Sequence, residues 1–451
     1  MRGGSRRARG RALVLRIALC CVSAIVVAVW LGACAGPARS ATSTALERGS
    51  LVEALDEYDR MRQLDGPDRE LLGRIAALLL EQEAGGADRE LRRQAIQELA
   101  GSGTAGEPVL QRIAHGDGAS RVIALEALAR RGDDRAALEL RSFADDEDAD
   151  ARAASVLGMD PEEDRDALLE AIRWPNARAR ENAASKLAAL VPDGEARAAL
   201  EETSRVDPEP AVRGAAVRAL GGYGPPALVA LRERLSDPVP SVRMAAVDAL
   251  IRADRDQAWA ALGSLFETPP SSQGIEAARL MLVRARQGDE DRGARAYLLS
   301  ALRAGEPSLR AQAGVALVSL EPSDDLRRVL SEALGREDDP GAKLSIARAL
   351  LQQEGAEDEA RGALRGLMQS GLEMSALQAA GVLAERGDDE AKAILAAFLR
   401  RPDPMLRRAA ARALARDAMR PDDARSAMRD HDAQVRIGAA GAILAASNED
   451  A

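Results

Sequence analysis

The chain has 451 residues, a formal net charge of −10, and a composition that is 46% hydrophobic but only 2% aromatic. An acidic surface repels the phosphates on which nucleic-acid affinity rests, and so few rings provide no platform for stacking bases, which excludes nucleic acid as a ligand. Cys20, Cys21 and Cys34 are the only cysteines, all in the first 34 residues, which excludes a disulfide framework further along.

Residues 1–33 read as a targeting segment outside the fold. Arg2, Arg6, Arg7, Arg9 and Arg11 make a basic start, and residues 17–31 are an uncharged apolar run. The run closes on Leu31-Gly32-Ala33-Cys34, which resembles the end of a bacterial lipoprotein signal. That resemblance implies cleavage before Cys34, a diacylglycerol on its thiol and an acyl group on its new amine. Several acyl chains anchor stably where one is marginal. An uncleaved membrane anchor, for which the run is short, and an ordinary cleaved signal are the alternatives. Ala35 after the lipid cysteine implies, under the enterobacterial sorting pattern, the outer membrane and a periplasm-facing chain. Removing the six arginines of residues 1–33, Arg16 included, takes the net charge from −10 to −16.

Residues 34–45 are small and polar, which predicts a flexible tether carrying the lipid at Cys34. Residues 46–85 then read as a helical hairpin broken at Asp65-Gly66-Pro67, with Leu51, Leu55 and Tyr58 facing Leu71, Leu72, Ile75, Leu78 and Leu79. Its predicted role is an N-terminal cap on the first repeat, since terminal units of repeat arrays are usually atypical.

From residue 86 to 447 one pattern recurs. Its sharpest copies are Asp207–Leu220 and Asp237–Leu250, of the form Asp-Pro-x-Pro-x-Val-Arg-x-x-Ala-Val-x-Ala-Leu. The arginine falls at Arg92, Arg121, Arg152, Arg180, Arg213, Arg243, Arg310, Arg407 and Arg436, with Lys343 in the same place and Ile275 and Ala376 filling the register. These twelve positions are about 31 residues apart, a helix–turn–helix length. Apolar residues at −1, +3, +4 and +7 from this anchor make one helical stripe. Asp88, Asp117, Asp148, Asn176, Ser271, Asp339, Asp403 and Asp432 stand four before it as N-cap types, and Glu209 and Glu306 hold that column less well. Pro210, Pro240, Pro307, Pro340 and Pro404 come next, at the first helical position, where no hydrogen bond is lost. The first helix of a unit is announced by Gly132-Asp133-Asp134 and Gly387-Asp388-Asp389, glycine closing one helix and aspartate capping the next. The fold class predicted is all-α, an elongated α-solenoid of about twelve stacked helix pairs, roughly 100 Å or more in length at about 10 Å per pair.

These units resemble HEAT repeats, of the short kind also found in phycobilin lyases. The resemblance rests on Asp237-Pro238, Val242-Arg243, Ala246-Val247, Ala249-Leu250 and the Gly-Asp-Asp entries. It implies second helices lining a concave surface, and it fixes no activity, because this architecture serves many unrelated tasks.

The residues supply little catalytic chemistry. His115 and His431 sit in turns ten units apart and read as solvated. The carboxylate columns are explained by capping. The run Asp145-Asp146-Glu147-Asp148-Asp150 lacks the ligand spacing and sixth-position glycine of a hand-type calcium loop. No metal, cofactor or small-molecule substrate is therefore expected.

A partner-binding face is expected at offsets +1 and +5 of the second helices, which point away from the core stripe. Most are mixed and polar, among them Arg93, Gln97, Glu126, Glu181, Ser185, Arg218 and Asp248. In unit eleven Arg408, Arg412 and Arg416 stand four apart beside Arg407. They read either as a dock for an acidic partner or as a solvated face paired with neighbouring acids. In later units the outward columns turn apolar, at Leu280, Val315, Leu344, Leu377 and Ile437, which reads either as a docking groove or as positions buried by a neighbouring helix. The reading reached is a membrane-anchored scaffold binding partner proteins at the cell envelope, with no catalysis of its own. The alternatives are a bilin-lyase-like enzyme, implied by the resemblance alone, and a purely structural envelope spacer.

Overall fold

The structure is a computed structural model describing residues 37–267, 269–284, 292–318, 320–416 and 421–447. Every regular element among them is a helix. The twelve anchor positions fall in twelve successive second helices, from Arg89–Gly101 to Ala433–Ala446. The predicted start signals act as read: Asp88, Asp148, Asn176, Asp339, Asp403 and Asp432 accept bonds from backbone N–H groups one turn in. Pro210, Pro240, Pro307, Pro340 and Pro404 each open a helix. Asp117 does not cap, because its helix begins later, at Arg121. Gly132 and Gly387 adopt φ of 91° and 82°. There the N–H groups of Asp133 and Asp388 reach back to the Leu128 and Leu383 carbonyls, closing the preceding helix and letting the aspartates cap the next.

Capping does not explain every acidic column, contrary to the expectation from the sequence. The anchor arginine stitches the units together. In Arg213 one Nη donates to the carbonyls of Asp207 and Pro208, pinning its own turn, while Nε and the other Nη grip Asp237 of the next unit at 2.8 and 3.0 Å. Arg180 grips Asp207, Arg310 grips Glu337 and Arg407 grips Asp430 in the same forked way. Each of these acids also accepts from the backbone N–H two residues on. Burial, the largest single influence on the Asp207, Asp237 and Asp430 carboxyls, pushes them up, but the arginine and backbone donors together outweigh it and hold them below the usual range. The planar guanidinium fork suits this bridging as a lysine would not.

The array is not a rod. Second helices pack on one another through all twelve units, while first helices barely touch their counterparts, so each unit is a wedge with its second helix on the inside. The wedges accumulate until Ala433–Ala446 packs against Arg69–Ala84 and Arg89–Gly101 at the other end of the chain. The solenoid closes into a ring, which overturns the expected elongated shape. At inner-helix spacings of about 8–10 Å, a planar ring of twelve leaves an opening of about 20–30 Å.

The seam repeats the ordinary unit interface. Arg436 of the last unit pins its own turn at the Asp430 and His431 carbonyls and reaches across to Glu83, where Nε and one Nη both donate to the same carboxylate oxygen. Small residues allow the approach: Gly73 faces Ser447, and Gly441 faces Glu98. Outside, Leu51–Asp65 clasps the opposite end through Arg62 to Asp422, Arg425 to Asp59, and Arg429 to Asp56 and Asp59. The hairpin expected to cap a free end is thus the closure itself.

The tether is corrected as well. Pro37–Glu47 is a helix packed along Leu51–Asp65, with Thr42 and Ala45 buried, and Arg39 pairs with Asp68 at 3.0 Å. Its alanines and threonines, read as linker composition, are what lets it lie close. The expected hairpin helix from residue 46 is divided by the turn at Gly49, which has φ of 69°.

Candidate functional site

The predicted site residues scatter over three environments. Cys34 lies outside the described residues. Arg412 meets Glu98 across the seam, Arg408 approaches the same carboxylate at 3.6 Å, and Arg416, 70% exposed, stands 3.7 Å from Glu385. All three stripe arginines therefore face this chain's own acids, two of them the same one. The apolar column is buried: Leu344, Leu377 and Ile437 are 8%, 4% and 0% exposed, and of the five positions read as outward Val315 is left open. The cause is the curvature, which turns the +1 offset toward the next inner helix. Leu344, Leu377, Arg412 and Arg416 do converge on one inner-wall recess of about 320 Å³. Ile437 packs within the core cluster instead. His431 is exposed beside Asp430, and His115 ends the Glu107–His115 helix with its ring on the Gln111 carbonyl.

A larger recess, about 630 Å³, opens in the inner wall across the first four units. Arg89–Gly101 contributes Arg93, Ile96 and Gln97, and Arg121–Arg130 contributes Ile123, Glu126 and Arg130. Asp150 comes from the short helix Ala149–Ser155, and Arg178 and Glu181 from Ala177–Leu187. Ile96, Ala100, Ile123 and Ala127 form an apolar floor.

Charge surrounds that floor. Glu126 is 1% exposed and holds Arg178 on one side and Arg130 on the other, the latter at 3.1 Å. Arg130 also donates to the Asn182 side-chain oxygen at 2.8 Å, while Asn182 itself donates to the Ala153 carbonyl. Asp150 takes Arg89 and accepts from the Asn176 amide at 3.1 Å. Burial pushes the Arg178 guanidinium down to about 10, and the nearby charges of Arg93 and Arg89 add to the shift. Cations outnumber anions along the lining, with Arg93, Arg130, Arg131 and Arg178 against Glu126, Asp150 and Glu181, although the whole chain is acidic. Arg93 and Arg130 hold their outer acids loosely, Arg93 at 3.4 Å from Glu90 and 3.9 Å from Asp150, Arg130 at 3.8 Å from Glu181. Buried, hydrogen-bonded charge around an apolar floor can orient a ligand end while the floor receives its side chain.

In the sequence Arg93, Gln97, Glu126 and Glu181 were legible as wall positions through their offsets, but their convergence was not. Glu126 was expected to face outward. It is buried because Arg178, two units later, folds over it. Among the described residues no group of three or more His, Cys, Asp or Glu is placed to hold a metal ion, and no helix is long and apolar enough to cross a membrane.

Residues 165–251, and in an overlapping match 198–283, fit the family model of HEAT repeats. No curated protein matches the chain in sequence. Among solved structures it is similar to the S. pombe condensin Cnd3–Cnd2 subcomplex, at 15% identity and a TM-score of 0.37 over 86% of this chain and 67% of that one. Importin beta aligns at 14% identity and a TM-score of 0.29, over 76% and 61% of the two chains. The complex of CpcE and CpcF of phycocyanin lyase from Nostoc sp. PCC7120 aligns at 18% and 0.25, over 67% and 96%. The chain thus spans about two thirds of the condensin chain and less of importin beta.

Proposed function

We propose that this chain is a lipid-anchored ring at the bacterial cell envelope that holds a segment of a partner protein on its inner wall, without catalysis of its own. The observation that carries the reading is the Glu126 recess: a buried charge network around an apolar floor, set in a wall continuous through twelve units. The HEAT repeats of residues 165–283 support it, because stacked helix pairs offer extended concave binding surfaces.

The anchor gives the ring an orientation. Two residues separate Cys34 from Pro37, a reach of about 10 Å. A lipid on Cys34 holds the edge of the ring beside Pro37 and Asp68 close to the bilayer, where Arg39 joins the first helix to the start of Arg69–Ala84.

The test is site-specific photo-crosslinking in cells. A photoreactive residue at Gln97 or Ile123, on the inner wall, is expected to give a discrete adduct. The same residue at Leu138, 68% exposed on a first helix, is expected to give none. Equal labelling from both positions, or none from the wall, removes the inner wall as the binding face. Cys34→Ser is expected to abolish lipid labelling and to release the chain from the membrane fraction. Unchanged labelling refutes the anchor.

A further inference from the structure

We infer that the recess around Glu126 recognises the C-terminal carboxylate of a protein chain whose last side chain is apolar. The inference rests on the inner wall being the binding face and names the chemistry this part of it selects.

Three features converge on that ligand. The first is charge. Glu126 is enclosed, its Oε1 accepting from both Arg178 and Arg130, so it is the base of the arginine cluster rather than an open acid. Arg93 and Arg130 instead meet their outer acids at 3.4–3.9 Å, beyond ordinary charge-assisted bonding lengths. A carboxylate entering between them gains shorter bonds to both than Glu90, Asp150 and Glu181 supply, and guanidinium forks suit a planar carboxylate.

The second feature is the floor. Ile96, Ala100, Ile123 and Ala127 form a patch large enough for one aliphatic side chain. A fatty acid needs a continuous apolar tunnel for its chain, and this floor is bounded by Gln97, Glu181 and Arg131. Those polar groups match the N–H and C=O groups of an extended peptide, which must be paired wherever they leave water. The volume, about 630 Å³, holds a few residues and no folded domain.

The third feature is position. The recess opens toward the axis of the ring rather than its outer surface, and an opening of about 20–30 Å admits an extended chain or a single helix. A chain end is the part of a protein that can enter such an opening without threading.

The experiment measures fluorescence anisotropy of a labelled octapeptide ending in leucine with a free carboxylate, against full-length protein in detergent. The same peptide as its C-terminal amide and decanoate as a competitor serve as the other arms. The free acid is expected to bind at least about tenfold tighter than the amide, the scale of one charge-assisted contact. Arg93→Gln and Arg130→Gln are each expected to weaken the acid about tenfold and to narrow its preference over the amide. Binding of the acid should also weaken with added salt. Both arginines are about a third or more exposed, and helicity and melting of each variant report whether the fold is kept. Equal binding of acid and amide overturns the inference, and so does acid binding that ignores both substitutions. Binding of decanoate alone overturns the peptide as ligand. If photo-crosslinks appear at Gln97 or Ile123 while the peptide acid is not preferred, the inner wall stands as the binding face and this assignment of its ligand falls.

Discussion

Ring closure can be tested with one covalent bond. A Cβ placed on Gly73 lies 3.1 Å from the Ser447 Cβ, although the two positions are 374 residues apart. A disulfide needs about 3.5–4.5 Å between Cβ atoms, so a shift of about half an ångström in the last turn suffices. Gly73→Cys with Ser447→Cys, in the chain expressed from Pro37 and so lacking every native cysteine, is expected to oxidise within one molecule. The product has a mass two daltons lower, about the two hydrogens lost when the bond forms, and a changed mobility on non-reducing gels at high dilution. Chain entropy sets an upper bound of about 6 kcal/mol on the stabilisation from a loop of this length, and local strain lowers it. A chemical-denaturation series on oxidised and reduced protein measures the difference. In an open solenoid the two sites are at opposite ends, and crosslinking could occur only between molecules. Free thiols at high dilution, or dimers whose yield rises with concentration, would refute closure.

Arg412→Glu puts a second carboxylate against Glu98 at the seam, so it is expected to lower the melting midpoint and enlarge the radius of gyration. Equal values for variant and parent would show that the seam does not depend on this pair. Leu250, fully buried in mid-array, should lose about 2–5 kcal/mol on change to alanine. A loss under about 1 kcal/mol in urea titration would contradict its place in the core. Asp207, Asp237, Glu337 and Asp430 are held below their ordinary pKa in the folded chain. Their contribution is therefore complete above the unfolded values of about 4 and is lost as pH falls through the lower folded ones. Melting midpoints should be flat between about pH 7 and 5 and fall below about pH 4, and a decline already above about pH 5 would place the acid sensitivity in other groups.

The helix pairs were legible because capping, proline placement and apolar period all act within one unit, as at Asp339-Pro340 and Asp403-Pro404. The arginine column was visible as a register mark, but its role was not. Arg213 and Asp237 are 24 residues apart, and only stacked units bring them together. Closure was hidden for a similar reason: it is the sum of twelve small rotations, and no motif states a rotation. One local sign was present. The last helix, AQVRIGAAGAILAA, has almost no polar face, whereas the end of an open array needs one facing water. On that sign Ile437 belongs against another helix, and Gly438 and Gly441 mark where one comes close. The convergence of Glu126, Arg178 and Arg130 depends on side chains from units two positions apart and had no counterpart in the linear pattern.

Because the last inner helix packs on the first as neighbouring units pack on one another, with Arg436 on Glu83 across the seam, the order in which the units are synthesised is incidental to how they pack. The first and last stretches of the described residues meet at the start of the same helix, Arg39 bonding Asp68 and Ser447 touching Gly73. A short linker could join them, and the backbone could be reopened at an exposed turn such as Gly132 without removing an interface. A circular permutant of this chain should therefore refold to the same ring, with its former ends buried in continuous sequence and its new ones half a circumference or less away.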